Sequence, residues 1–249
     1  MHRGDCALRR LRGEIAVTDL VILPGLDGTA TLHAAFIAAL GDAFDAVHVM
    51  RYPVDEMLDY AALERRVREA FPAANPVVVL GESFSGPLAI SIAADPPANM
   101  VGLILSTTFA RAPVPLSGWV APMASLLPVR SVPLSMMTWM LLGQWNSPAL
   151  EEGLRHALMR VSPKVLRHRA GLAMRVDVSG LLARVKLPTL YLRAVGDRLL
   201  SSSACRSVAS SIESCTVVDV AGPHLLLQAA AVDCAQIVKR VARENRWLR

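Results

Sequence analysis

The stretch VVVLGESFSGPLAI, residues 77–90, sets Ser83 between Gly81 and Ser85, and a second glycine follows one position late at Gly86. A serine hydroxyl is a weak nucleophile near neutral pH. It attacks a carbonyl only when a histidine takes its proton and an acid fixes the tautomer of that histidine. A GxSxG turn between a strand and a helix is a common setting for such a serine, and here serine stands at its last glycine position.

Chain order tests whether partners exist. On a doubly wound sheet the three groups must lie at the carboxyl ends of different strands, the acid after a later strand than the serine and the histidine later still. Of the six histidines, His2, His33 and His48 precede Ser83, while His156 and His168 fall where strand patterning is lost. His224 follows a late apolar run in CTVVDVAGPHLLLQ. Among the intervening carboxylates, Asp197 sits just past an apolar run in LYLRAVGDRLL, where Gly196 permits a tight turn. Asp219 lies within the strand leading to His224, so its side chain is expected to point into or across the sheet. Ser83, Asp197 and His224 pass the order test.

The elements that must position them are legible as short apolar runs alternating with helix-like segments, the pattern of parallel strands joined by crossover helices. Strands are expected at 19–25, 44–53, 75–81, 100–109, 187–197 and 215–222, with helices at 30–41, 60–71, 84–95, 201–212 and 224–245. From 112 to 178 the alternation stops, and PVPLSGWVAPMASLLPVRSVPLSMMTWMLLGQW is interrupted by proline and rich in Trp, Met and Leu. This block reads as a mostly helical insertion within a single domain of 1–249.

Together, VLGESFSGP, YLRAVGDRLLS and AGPHLLLQ resemble the α/β-hydrolase superfamily over residues 19–242. The resemblance implies an α/β fold with a mostly parallel, doubly wound sheet and a helical cap insertion. It implies Ser83 as nucleophile, Asp197 as acid and His224 as base. It also implies an oxyanion hole made by the backbone N–H of Phe84 and by that of Leu26 in the LPGLDG loop. Serine at position 85 looks like one of the family's variants with a small residue there, since the helix after the elbow packs close to its strand; a helix-capping role is the bland reading of Ser85. In this superfamily such an insertion covers the active site and shapes the pocket, which makes Trp119, Met123, Met137, Trp139 and Met140 candidates to contact an apolar acyl chain. Packing of the insertion onto the main domain is their bland reading.

Three functions fit this constellation: hydrolysis of a carboxylic ester or thioester, transfer of the acyl group to an alcohol, and ligand binding on a retired hydrolase fold. LPGLDGT also resembles the corresponding stretch of plant phytyl ester synthase-like proteins, which favours transfer as the rival; the presence of all three polar residues counts against retirement. The partner expected is a small-molecule ester or thioester.

Composition narrows the class. At 249 residues, 53% hydrophobic and 19% charged, the chain can bury one large core. Its net charge of +5 collects at the two ends, without the interleaved aromatics of a nucleic-acid surface, so solvated ends are expected. Cys6, Cys205, Cys215 and Cys234 show no metal-ligand spacing and read as reduced packing residues in a cytoplasmic protein. No metal or cofactor is expected, since PGLDGTA lacks both the P-loop lysine and the GxGxxG spacing. No run is long enough to span a bilayer or to serve as a secretory signal.

Overall fold

The computed structural model describes residues 18–112 and 133–248. Six strands, β1 (Asp19–Leu23), β2 (Val47–Val49), β3 (Val77–Glu82), β4 (Met100–Ser106), β5 (Thr189–Ala194) and β6 (Cys215–Val220), form one sheet in the order β2-β1-β3-β4-β5-β6. Every neighbouring pair is parallel. The central strands are apolar at successive positions because both faces are covered. Leu20, Ile22, Val78, Leu80, Ile104, Leu190 and Leu192 pack on one face, and Val21, Leu23, Val77, Val79, Leu103, Leu105 and Tyr191 on the other.

Helices α1 (Ala34–Leu40), α2 (Tyr60–Glu69), α3 (Gly86–Ala94), α4 (Leu134–Leu141), α5 (Pro148–Met159), α6 (Pro163–Ala173), α7 (Ser202–Ala209), α8 (Leu226–Ala229) and α9 (Ala231–Glu244) are accompanied by short 3-10 turns, one of which, Ser83–Ser85, leads into α3. α1 and α9 bury Phe36, Leu40, Val238 and Val241 on the first face; α2, α3 and α7 bury Leu63, Val67, Leu88, Ile92 and Val208 on the second. Ser147 and Asp59 cap α5 and α2 by accepting from the Leu150 and Ala62 N–H groups, as short polar residues do ahead of an apolar stripe.

Between β4 and β5 the chain departs through an antiparallel bridge between Arg111 and Asp177, reinforced by hydrogen bonds from Ala112 N–H to Val176 and from Val178 N–H to Ala110. An ion pair joins the same two residues at 2.8 Å. α4, α5 and α6 lie beyond this stem.

Two elements differ from the sequence reading. The strand expected over 44–53 is only Val47–Val49, because beyond it the chain leaves the ladder at Tyr52, whose N–H bonds the Gly28 carbonyl. The single helix expected over 224–245 is broken at Ala230, where φ −123° and ψ 43° end α8. The break separates the short turn bearing Gln228 from α9, which packs on the core. In the basic C-terminal stretch Arg240, Arg243 and Arg246 are exposed, while Lys239 Nζ donates to the Ala39 carbonyl at 2.9 Å. Cys205, Cys215 and Cys234 are free thiols, whereas Cys6 and the basic N-terminal stretch lie outside the described residues. Among the described residues no helix is long and apolar enough to cross a membrane.

The chain's last described residues pack against the sheet. Trp247 is 2% exposed, its carbonyl accepts from Thr18 Oγ1 at 2.6 Å, and its indole lies where a Cβ on Gly102 of β4 would be. Gly102→Ala is therefore expected to lower stability by about 1–3 kcal/mol through overpacking. Chemical denaturation of the variant beside the wild type checks this, and an unchanged midpoint would contradict it.

Candidate active site

Ser83 begins the turn between β3 and α3 with φ 46°, a left-handed backbone that non-glycine residues seldom adopt. Close packing maintains it. A Cβ on Gly81 would fall 2.6 Å from that of Ala89, and a Cβ on Gly86 would overlap the Thr108 side chain. The late glycine at 86 is thus the position where α3 meets the end of β4. Thr108 Oγ1 donates to the Ser83 carbonyl at 2.5 Å, and Tyr60 donates to the Phe84 carbonyl at 2.9 Å while its ring stacks on Phe84.

The serine hydroxyl lies 2.8 Å from His224 Nε2, and His224 Nδ1 lies 2.9 Å from Asp197 Oδ2. A carboxylate accepts only, so Nδ1 carries the proton and Nε2 is left with a lone pair toward Ser83. The other oxygen of Asp197 accepts from the N–H groups of Leu199 and Leu200 at 2.8 and 2.9 Å, which fixes the carboxylate. His224 is 2% exposed. The fold thus brings together, from three strand ends, the three residues picked out by chain order. Asp219 points away, bound to Arg193 of the neighbouring strand at 2.6 Å on the exposed side.

Among the described residues two backbone donors, one in the elbow and one in the loop after β1, have no acceptor. The Phe84 N–H lies in the first turn of a helix and has no intrahelical acceptor. The Leu26 N–H finds no acceptor among the described residues, and the Gly25 carbonyl, on the opposite edge of the same trans peptide, is held by the Gly28 N–H at 3.1 Å.

Ser85 corrects the sequence reading. It neither caps α3 nor merely substitutes for glycine: its side chain makes no cap hydrogen bond, donates to the Pro24 carbonyl and accepts from Tyr52 at 2.7 Å. The relay Tyr52–Ser85–Pro24 ties the elbow to the loop bearing Leu26. Burial pushes the Tyr52 phenol well above its ordinary value, which keeps it a donor at any working pH.

Beneath the elbow lies a buried pair that sequence reasoning missed. Glu82 accepts from His33 Nε2 at 2.9 Å and from Gln228 Nε2 at 3.0 Å. Burial alone would raise the Glu82 carboxyl, but the His33 charge and both hydrogen bonds outweigh it and hold it below the usual range. Burial likewise works against a charged His33, and Glu82 overcomes it, so the imidazole is shifted up. A buried, doubly bonded carboxylate one residue before Ser83 adds negative potential near His224. Glu82 stood in the quoted motif, but nothing in the sequence marks His33 and Gln228 as its partners.

Of the insertion residues suggested for an acyl chain, Met137 and Met140 are half-buried on α4. Trp139 is 60% exposed, with the Arg198 guanidinium 4.5 Å from its ring centroid. Trp119 and Met123 lie outside the described residues. Among the described residues no three His, Cys, Asp or Glu side chains are grouped to hold a metal ion.

No protein-family model matches the chain, and no curated protein matches it. Solved structures do. The chain is similar to an esterase from Exiguobacterium antarcticum at 12% identity, with TM-score 0.78 over 92% of this chain and 94% of that one. It is similar to a thermophilic esterase from Thermogutta terrifontis at 21% identity, TM-score 0.74, over 93% and 92%, and to an enol-lactonase from Burkholderia xenovorans at 15% identity, TM-score 0.73, over 92% and 91%. With its parallel sheet, its insertion after β4 and a strand-end serine elbow, the chain has the α/β-hydrolase fold.

Proposed function

We propose that the protein is a serine hydrolase that cleaves a carboxylic ester or thioester with a largely apolar acyl part. The observation that carries this reading is the continuous hydrogen-bonded line from Ser83 through His224 to Asp197. The free Leu26 and Phe84 N–H groups and the ester-cleaving names of the similar structures support it. In the proposed cycle Ser83 Oγ attacks the acyl carbonyl while its proton passes to His224 Nε2, and Asp197 stabilises the imidazolium. The carbonyl oxygen becomes an oxyanion that accepts from Leu26 and Phe84. Collapse expels the alcohol or thiol, which takes the proton from His224 and leaves an acyl ester on Ser83. A water then attacks that ester and gives a proton to His224; the proton returns to Ser83 Oγ as the acid departs. Acyl transfer would replace this water by an alcohol.

The insertion acts in this reading as a cap whose apolar residues meet the acyl chain. Each buried methylene then favours binding by roughly 0.8 kcal/mol until the pocket is full.

Three outcomes are expected. A fluorophosphonate probe labels the wild type and not Ser83→Ala, and the wild type releases free acid from p-nitrophenyl esters without added alcohol; a wild type that resists the probe and hydrolyses no ester would end this reading. Asp197→Asn keeps the shape of the acid but not its charge, and turnover falls by on the order of 10⁴; an undiminished rate would remove Asp197 from the mechanism. Across p-nitrophenyl esters from acetyl to long acyl chains, kcat/KM climbs over short to medium lengths and then levels, whereas a flat profile would discard the acyl pocket.

A further inference from the structure

Arg169 belongs to α6, in the insertion, yet its guanidinium is directed at the loop after β1. The residue is 2% exposed. Nη1 donates to the Leu26 carbonyl at 3.0 Å and to the Asp27 carbonyl at 2.7 Å, and Nη2 donates to the Pro53 carbonyl at 2.8 Å. Its carbon lies 5.5 Å from the centroid of the Tyr52 ring. No carboxylate among the described residues forms an ion pair with it. A buried cation without an anion is costly unless dipoles solvate it, and here three carbonyls and an aromatic face do so. Burial pulls its pKa down, opposed by Tyr52 and Asp27. The loop is shaped to admit it: Gly28 has φ 67°, and a Cβ there would lie 2.6 Å from Nη1 and 2.9 Å from Tyr52.

Every carbonyl from Pro24 to Gly28 is thereby taken. Ser85 holds Pro24, the Gly28 N–H holds Gly25, Arg169 holds Leu26 and Asp27, and the Tyr52 N–H holds Gly28. Fixing the carbonyls on both sides of Leu26 leaves its N–H a single direction, because the peptide units are planar. We propose that Arg169 is a positioning residue for the Leu26 N–H, so that the aim of the second oxyanion donor depends on the docking of α6. The inference rests on the hydrolase reading for its chemical consequence, but the mechanical claim is separately measurable.

The experiment compares wild type with Arg169→Met, which keeps the stem and removes the donors, and Arg169→Lys, which keeps the charge and loses the planar fork. Hydrogen exchange is read at the Gly28, Thr29 and Tyr52 amides, and kinetics on a p-nitrophenyl ester are paired with inhibition by an alkyl boronic acid, whose tetrahedral adduct on Ser83 resembles the transition state. In Arg169→Met the three amides exchange faster, kcat falls by on the order of 10²-fold, as when one oxyanion donor is lost, KM stays within about twofold, and boronate affinity falls in step with kcat. Arg169→Lys shows a smaller loss of the same kind, about tenfold. A lower melting temperature with wild-type kcat and boronate affinity would make Arg169 a structural anchor only and overturn the proposal. So would a rise in KM alone, which would mark a substrate contact. If Arg169→Met does not fold, Arg169→Lys decides, and wild-type kcat with wild-type boronate affinity counts against the proposal. Should the wild type hydrolyse no ester and resist the fluorophosphonate, the hydrolase reading falls, and unchanged amide exchange in the Arg169 variants would overturn the positioning claim as well.

Discussion

The site depends on the close approach of α3 to β3 and β4. Ser83 remains in its left-handed conformation because the helix that follows is pressed against the sheet at Gly81 and Gly86, where side chains would collide with Ala89 and Thr108. Strain of this kind costs about 1–3 kcal/mol and persists only where its surroundings over-determine it. The over-determination is visible: Thr108 and Tyr60 bond the two elbow carbonyls, and Phe84 is stacked in the core. The result is a Ser83 hydroxyl directed toward His224 Nε2, 2.8 Å away.

Around this point the insertion behaves as part of the frame. It touches each of the three loops that bring groups to Ser83. Arg169 grips the loop after β1. The Leu141 carbonyl accepts from the Leu225 N–H, next to His224. Arg198, one residue past Asp197, donates to the Trp139 carbonyl at 2.9 Å and lies over its ring, while the Trp145 ring occupies the space beside Gly196. These ties are hydrogen bonds to backbone and ring-to-glycine packing, all of which demand fixed geometry.

Chain order and strand-end placement made Ser83, Asp197 and His224 readable in the sequence, because each follows an apolar run that any β-strand pattern reveals. The supporting residues were not readable for a physical reason. Arg169 stands beside Arg167 and His168, where it looks like one more solvated charge, and only the tertiary structure buries it among carbonyls. His33 precedes the serine and chain order passes over it, yet its Nε2 lies 2.9 Å from the buried Glu82 carboxylate. Size and a cap role are all that the sequence offers for Ser85, whereas its hydroxyl has two partners distant in the chain, Pro24 and Tyr52. Side chains acting on backbone leave no spacing to detect. The break at Ala230 was likewise hidden, since no glycine or proline marks it.

The wide separation of the site's parts has a bearing on biosynthesis. His224 is 141 residues beyond Ser83 and follows β6, the strand at one edge of the sheet. Contacts so distant in the chain form late, after intervening elements have docked. A growing polypeptide can therefore complete the elbow, with its glycines and strained serine, well before His224 has been made. Through that interval the hydroxyl lacks its imidazole partner. The order in which the ribosome delivers these strands thus leaves the contact between Ser83 and His224 until the sheet is finished.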